Sequence, residues 1–327
     1  MRKLLLILSA MLCAIVVAVP AAGRGEQAVD DGPWTPSRPI RIIVPWSAGG
    51  GTDLLGRALA QYGEKYFGVP VIVENVEGAM GAVGAQRVRT AAPDGYELLL
   101  MSGFVGWIRE VQDYPVGVAD FTPVMNLNRD PAAFAVGIDS GIESLDDLRD
   151  YALANPGSFT VAHSGEGAEW HIAGVSVAKG LDIEMNFVPF PGTAPGVAAA
   201  MGGSVGGVSG GAAEFVSQAQ AGQLRVLAVH AESRFGPLPD VPTSLEQGYD
   251  IEVYTTRGLV APAGLPAERA QVLYEGFARI MQEPGFIEQM ANIGLGLYPL
   301  SPPEYAVFLD SLVGQALDSL RLVGLID

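Results

Sequence analysis

The chain has 327 residues, of which 42 are Gly and 23 Pro. That is about a fifth of the chain against a usual share of roughly 12%, and it excludes a long coiled coil or an all-helical bundle. Hydrophobic residues make up 49%, which excludes wholesale disorder, and a formal net charge of −17 excludes nucleic acid as a partner. In chain order, Arg2 and Lys3 precede an apolar run, Leu4 to Val19, closed by Pro20, Ala21, Ala22 and Gly23. This reads as a secretory signal peptide over residues 1–23, too short for a span of about 20 apolar residues; an uncleaved anchor is the alternative. Its removal takes the charge to −19 and takes away Cys13, the only cysteine, so the mature protein has no disulfide, thiolate or Cys-based zinc chemistry. Leu12 before Cys13 argues against lipidation. Residues 24–37 read as a flexible mature N-terminus.

From there the chain alternates. Ile40–Val44 is an apolar run between prolines, read as a buried strand, and Asp53–Phe67 carries apolar residues at helical spacing. A strand is expected over Val69–Val76, a helix over Gly81–Ala92 and a strand over Tyr96–Met101. The rhythm resumes with a helix from Ser144, which is placed to cap it, to about Ala154. Strands Phe159–Ala162, Glu184–Phe190, Val205–Ser209 and Leu224–Ala231 then alternate with helices Ala168–Lys179, Ala194–Met201 and Ala212–Ala221. After a strand in Ile251–Val260 the chain is mainly helical, with Pro266 and Pro303 expected in first turns. This predicts an α/β fold with two sets of parallel strands. Val124–Ile138 and Asp250–Pro262 are the candidate crossings. If both cross, the first domain is discontinuous, 38–135 plus 256–327, the second is 136–255, and a ligand cleft lies between them.

The loops after strands carry the chemistry. Ser47–Thr52, Gly78–Gly81, Ser164–Gly167, Pro191–Thr193 and Ser209–Gly211 are built of Gly, Ser, Thr and other small residues. Glycine lets the backbone approach a ligand, Gly50 being a position where a β-branched residue is expected to be refused. Helix N-termini then hold an anion without a basic side chain. Tight turns are the alternative. Ser47–Thr52 lacks the Gly-Lys-Ser/Thr of a phosphate loop. Gly207-Val208-Ser209-Gly210-Gly211 fits G-x-S-x-G, but the histidine that follows, His230, has only Glu214 as a nearby acid before it. His163, His171 and His230 show no metal spacing and are read as structural.

Arg38-Pro39-Ile40-Arg41-Ile42-Ile43-Val44-Pro45 with Gly49-Gly50-Gly51-Thr52-Asp53 resembles the first strand and loop of the tripartite tricarboxylate transporter substrate-binding receptors, the Bug-type receptors. So do Val73-Glu74-Asn75, Gly78-Ala79-Met80-Gly81, Ala92-Pro93-Asp94-Gly95-Tyr96, Asp120-Phe121-Thr122-Pro123, the block from Gly222 to Val229, Asp240-Val241-Pro242-Thr243 and Leu259-Val260-Ala261-Pro262. The resemblance implies a fold like type II periplasmic binding proteins, with two α/β domains joined by two crossing strands and closing on a small carboxylate. By its motifs the ligand is gripped by Ser47, Ala48, Gly49, Gly50, Gly51 and Thr52 of the first domain. The second domain would contribute Ser164, Gly165, Glu166, Gly167, Gly192, Thr193 and Ala194. Arg257 is placed to pair with a ligand carboxylate, a structural ion pair being its alternative. Two acids and a tryptophan in Ser164-Gly165-Glu166-Gly167-Ala168-Glu169-Trp170 depart from the family pattern and argue against a highly charged anion.

The expected protein is therefore a periplasmic, monomeric receptor without a cofactor. It captures a di-, tri- or aromatic carboxylate and hands it to a permease of one large and one small membrane subunit. The rivals are a secreted serine hydrolase using Ser209 and a ligand-sensing module read by a membrane signalling partner.

Overall fold

β1 (Ile40–Val44) buries four of its five residues, as a strand covered on both faces does. Its alternation is visible in the packing. Ile42 faces one core cluster and Ile43 the cluster on the opposite side of the sheet. A computed structural model describes residues 34–327 apart from Ser47, Asp113 and Pro191. The signal peptide and residues 24–33 of the expected N-terminus lie outside the described residues.

After β1 come α1 (Gly51–Phe67), β2 (Val71–Asn75), α2 (Ala82–Arg89) and β3 (Glu97–Ser102). β1 pairs in parallel with both β2 and β3, so each connection crosses over through a helix. A 3-10 turn, Gly103–Gly106, and the short helix α3 (Ile108–Gln112) follow. β4 (Phe121–Gly137) is 17 residues long. Beyond it the chain runs through α4 (Leu145–Ala154), β5 (Thr160–His163), α5 (Glu169–Leu181), β6 (Asn186–Pro189), α6 (Thr193–Met201), β7 (Gly207–Gly211), α7 (Ala212–Gln220) and β8 (Leu224–Val229). It returns in β9 (Tyr254–Pro262) and ends with α8 (Ala267–Ile280), α9 (Pro284–Asn292), β10 (Leu297–Leu300) and α10 (Pro302–Leu322). Pro302 and Pro303 open α10, whereas Pro266 stands one position earlier than expected, at the N-cap of α8.

The strand order is β2-β1-β3-β9-β4-β7-β5-β6, with β8 and β10 also on β4. β4 serves two halves of this sheet. Its residues Phe121–Pro131 run antiparallel to β9, and Ala132–Gly137 run antiparallel to β7 and, from Ala133, to β8. The handover falls at Pro131, which has no N–H to give a ladder. The next amide, Ala132, donates instead to Val253 O at 2.8 Å, while the Val253 amide donates to His230 O at 3.1 Å. The return path therefore touches the second half at Val253 and the first half from Tyr254 on. Of the crossings expected from the sequence, the first is strand to Gly137 and gives way to a 3-10 turn at Ile138, and the second is strand over Tyr254–Pro262.

Each half has a cluster on each face. α1, α8 and α9 cover one face of the first half with Leu55, Leu59, Leu273, Phe277 and Phe286. α2, α10 and the 3-10 turn cover the other with Ala85, Leu309, Tyr305, Phe104 and Trp107. Ala168 and Ile172, at the start of α5, join that second cluster, so the second half docks one helix end on the core of the first.

Candidate functional site: a cleft at three helix starts

α1, α5 and α6 begin at Gly51, Glu169 and Thr193 behind N-caps Gly50, Ala168 and Gly192. Among the described residues no side chain caps any of the three, although first-turn amides have no intrahelical acceptor. All six residues line one cleft of about 580 Å³. Three partial positive charges therefore face a shared space. A larger groove of about 710 Å³ lies elsewhere, but it is lined by the C-terminal ends of α4, α5 and α10, whose partial charge is negative.

Arg257 of β9 also lines the cleft, as does its register partner Ser102 of β3. Arg257 Nε donates to Thr52 Oγ1 at 3.0 Å and Nη1 to Asp130 Oδ2 at 2.5 Å. Asp130 is held in turn by Asn128 Nδ2 at 2.8 Å and the Gly296 amide at 3.0 Å. Nη2 makes no hydrogen bond among the described residues and lies beside the first residue of α1, where a Cβ on Gly51 would sit 3.4 Å from it. The guanidinium is thus a structural ion pair on one side and a face of the cleft on the other.

The first glycine loop is partly occupied by the protein itself. The Gly49 amide donates to Asp53 Oδ2 at 2.8 Å, and Asp53 also accepts from Arg57 and Asn75. Burial alone would raise the Asp53 carboxyl, but these bonds together hold it below the ordinary carboxylate value. The position that needs glycine for its backbone is Gly49, at φ +84. Gly50 is extended at φ −75, so the expected backbone constraint at Gly50 is not there.

Two glutamates line the cleft that the sequence did not assign to it. Glu169 Oε1 accepts the Phe104 amide at 2.9 Å, across the two halves, and Thr255 lines the cleft with it. Glu214 Oε2 accepts the Gly211 amide at 2.8 Å and Thr193 Oγ1 at 3.1 Å. Burial raises both carboxyls despite those bonds. Glu214 is an exposed residue whose carboxyl is held at the cleft by the Gly211 amide and Thr193. Trp46, Met80, Trp170, Phe190 and Thr255 complete the lining.

Of the residues expected at the site, the structure brings Gly50, Gly51, Thr52, Ser164, Gly165, Gly192, Thr193 and Arg257 to the cleft. Ala48, Gly49, Glu166, Gly167 and Ala194 are not in its lining. Glu166 and Ala194 are exposed, and Gly167 is turned to other tasks: its amide donates to His171 Nδ1 at 3.0 Å and its carbonyl accepts Trp107 Nε1 at 2.9 Å. Ser47 lies outside the described residues. Trp46, Thr255 and Glu214 adjoin segments that the sequence marks, Ser47–Thr52, Arg257 and Ser209–Gly211, but nothing local assigns these side chains or Ser102 to the cleft, because sheet register and helix packing bring them there.

The serine-hydrolase arrangement does not form. Ser209 lies inside β7 rather than on a loop, and its Oγ is buried without a partner among the described residues. His230 Nδ1 is bonded to Ser244 Oγ at 2.6 Å, and Glu214 is engaged elsewhere. His163 and His171 stack at 4.1 Å between ring centroids, and among the described residues no group of His, Cys, Asp and Glu is arranged to hold a metal.

Such a cleft, between α/β halves sharing two crossing strands, defines a solute-binding receptor of the periplasmic-binding-protein type. The model of the tripartite tricarboxylate transporter family receptor matches residues 55–317, and the chain belongs to that family. It is 31% identical over 328 residues to a UPF0065 protein in the gbd 5′ region of Cupriavidus necator, covering 99% of each chain. A ligand-free TctC solute binding protein from Polaromonas is 32% identical with a TM-score of 0.75, over 88% of this chain and 98% of that one. Rpa4515 of R. palustris, solved with adipate, is 25% identical with a TM-score of 0.77, again over 88% and 98%. The family is one of receptors rather than enzymes, and the Polaromonas neighbour is a solute binding protein.

Proposed function

We propose that the protein is an extracytoplasmic receptor that captures a small organic carboxylate in the 580 Å³ cleft and delivers it to a tripartite permease of large and small membrane subunits. The observation that carries this reading is the convergence of three uncapped helix starts and one guanidinium on a single cleft. That arrangement concentrates anion-binding groups inside a protein whose net charge of −17 otherwise repels anions. The adipate-bound relative supports a carboxylate as ligand. The run Leu4–Val19 behind Arg2 and Lys3 supports export to the periplasm, and the handover of β4 at Pro131 with the return at Val253–Tyr254 supports two domains, 38–135 plus 256–327 and 136–255, that close about β4 and β9.

The test is calorimetric titration of the exported protein with a panel of mono-, di- and aromatic carboxylates. Saturable binding of one member, lost in Arg257→Ala, is expected. Failure of every carboxylate to bind removes the reading.

A further inference from the structure

Resting on that receptor reading, we propose that the ligand is a zwitterion: a small carboxylate that also bears a protonated or quaternary nitrogen, which Glu169 and Glu214 receive. The first ground is charge. The formal charges at the cleft are Arg257, Glu169 and Glu214, and Arg257 is already paired with Asp130. A dianion would meet two carboxylates and one guanidinium that Asp130 already neutralises. A ligand with one carboxylate places it at Arg257 and the start of α1 and leaves the glutamates to be matched by a cation.

The second ground is the company the glutamates keep. A Cβ on Gly211 would lie 3.0 Å from Glu214 Oε2 and 3.1 Å from Trp170 Cζ2, so carboxylate and indole share one corner. A carboxylate beside an indole is suited to an organic cation, which the carboxylate attracts and the ring face accommodates. The third ground is an unpartnered acceptor. Ser102 lines the cleft, is 6% exposed, and its buried Oγ has no hydrogen-bond partner among the described residues. Ser102 is the register partner of Arg257 and stands two residues before Phe104, whose amide holds Glu169, so a free hydroxyl lies between the guanidinium and the Glu169 anchor, open to either end of a zwitterion. Burial raises both carboxyls, so a cation placed beside them relieves the cost of their ionisation.

The experiment uses matched sets X–(CH2)n–COO⁻ in which X is methyl, ammonium or carboxylate, together with α-amino acids and their deaminated acids, titrated calorimetrically against the full exported protein. In the set that fits best, the ammonium member is expected to bind at least about tenfold tighter than either sibling, a difference of ~1.4 kcal/mol. Glu214→Gln and Glu169→Gln, which keep an acceptor for the Gly211 and Phe104 amides, are each expected to reduce that advantage about fivefold or more, with unfolding of the free protein showing that both variants fold. Ser102→Ala is expected to reduce it less. Tightest binding of a dicarboxylate by the parent, or an ammonium preference that survives both Gln variants, overturns the proposal and leaves the receptor intact. Absence of binding by any carboxylate overturns both.

Discussion

Arg257 serves two sides, and its replacement is expected to register on both. Its side chain is 15% exposed and that of its partner Asp130 8%. Arg257→Ala leaves Asp130 with two neutral donors and no cation. Breaking a buried pair costs about 3 kcal/mol or more, so the unliganded variant should unfold earlier in urea. Affinity should fall as well, by about 2–5 kcal/mol for a truncated charge pair. Arg257→Lys keeps the charge but cannot reach Thr52 and Asp130 with one planar fork, and it should recover stability better than affinity. A variant that loses stability while binding the titrated carboxylate normally would restrict Arg257 to the ion pair. The sequence placed Arg257 in the site, but the partner that makes it structural, Asp130, comes from another strand and was not legible. The same holds for Glu169 and Glu214. Glu169 reads locally as one of two loop acids, yet Glu166 is exposed while Glu169 reaches the Phe104 amide 65 positions away. Only the tertiary fold separates them.

Elements were more legible than contacts wherever a local signal was strong. β1 has the expected bounds, and α4 starts behind Ser144, whose Oγ accepts the Asp147 amide at 3.1 Å. Because this cap lies on the second half and outside the cleft lining, Ser144→Ala separates stability from binding. It should cost about 1 kcal/mol in urea unfolding and leave the affinity for the titrated carboxylate unchanged. A matching loss of affinity would mean that α4 is coupled to the cleft. Elements without a periodic signal went unseen. β10 is four residues long and half-exposed, and it exists because β4 offers it an edge at Asn126 and Asn128. The turn Gly103–Gly106 is buried in the cluster that α10 covers and carries no helical stripe, and α3 is a five-residue helix that buries Ile108 alone. Ser209–Gly211 looks like a loop by composition, but β4 and β5 on either side of β7 impose a strand on it.

At the scale of the molecule, the histidines set a pH dependence. Burial depresses His230 to about 3, and burial followed by the neighbouring His163 depresses His171 to about 3 as well. Both lie below the unfolded value of 6.5. Their contribution to stability is therefore complete above pH 6.5 and is lost as pH falls toward 3, because the unfolded chain takes up protons that the folded one refuses. Each should account for about 2 kcal/mol of lost stability between pH 7 and pH 5. Glu169 and Glu214, raised by burial, act with the opposite sign, so the clean measurement is a difference. The parent should lose more stability across that interval than His171→Gln does. Equal slopes in urea unfolding would mean that His171 titrates normally.

Closure of the halves is the remaining large-scale expectation. The contacts between the halves beside the cleft are Trp107 Nε1 to Gly167 O at 2.9 Å, the Phe104 amide to Glu169 Oε1 at 2.9 Å, and Ala168 and Ile172 in the core of the first half. All connect the start of α5 and the loop before it to the turn and helix after β3. If the halves close on the ligand, these contacts part on entry and re-form on enclosure, with Pro131 and the Val253–Tyr254 return as the expected flexing points. Gly167 is the position at which to interfere. It has φ +72, and a Cβ there would lie 2.6 Å from Val111 Cγ1 of α3. Gly167→Ala should therefore hold the halves apart without touching a residue of the cleft lining. X-ray scattering should give the parent a smaller radius of gyration at saturating ligand than without it, whereas Gly167→Ala should keep the larger radius and bind more weakly. A parent whose radius does not change while calorimetry confirms saturation would mean that the ligand enters a cleft already formed, and the contacts around Gly167 would then be permanent packing rather than a closing surface.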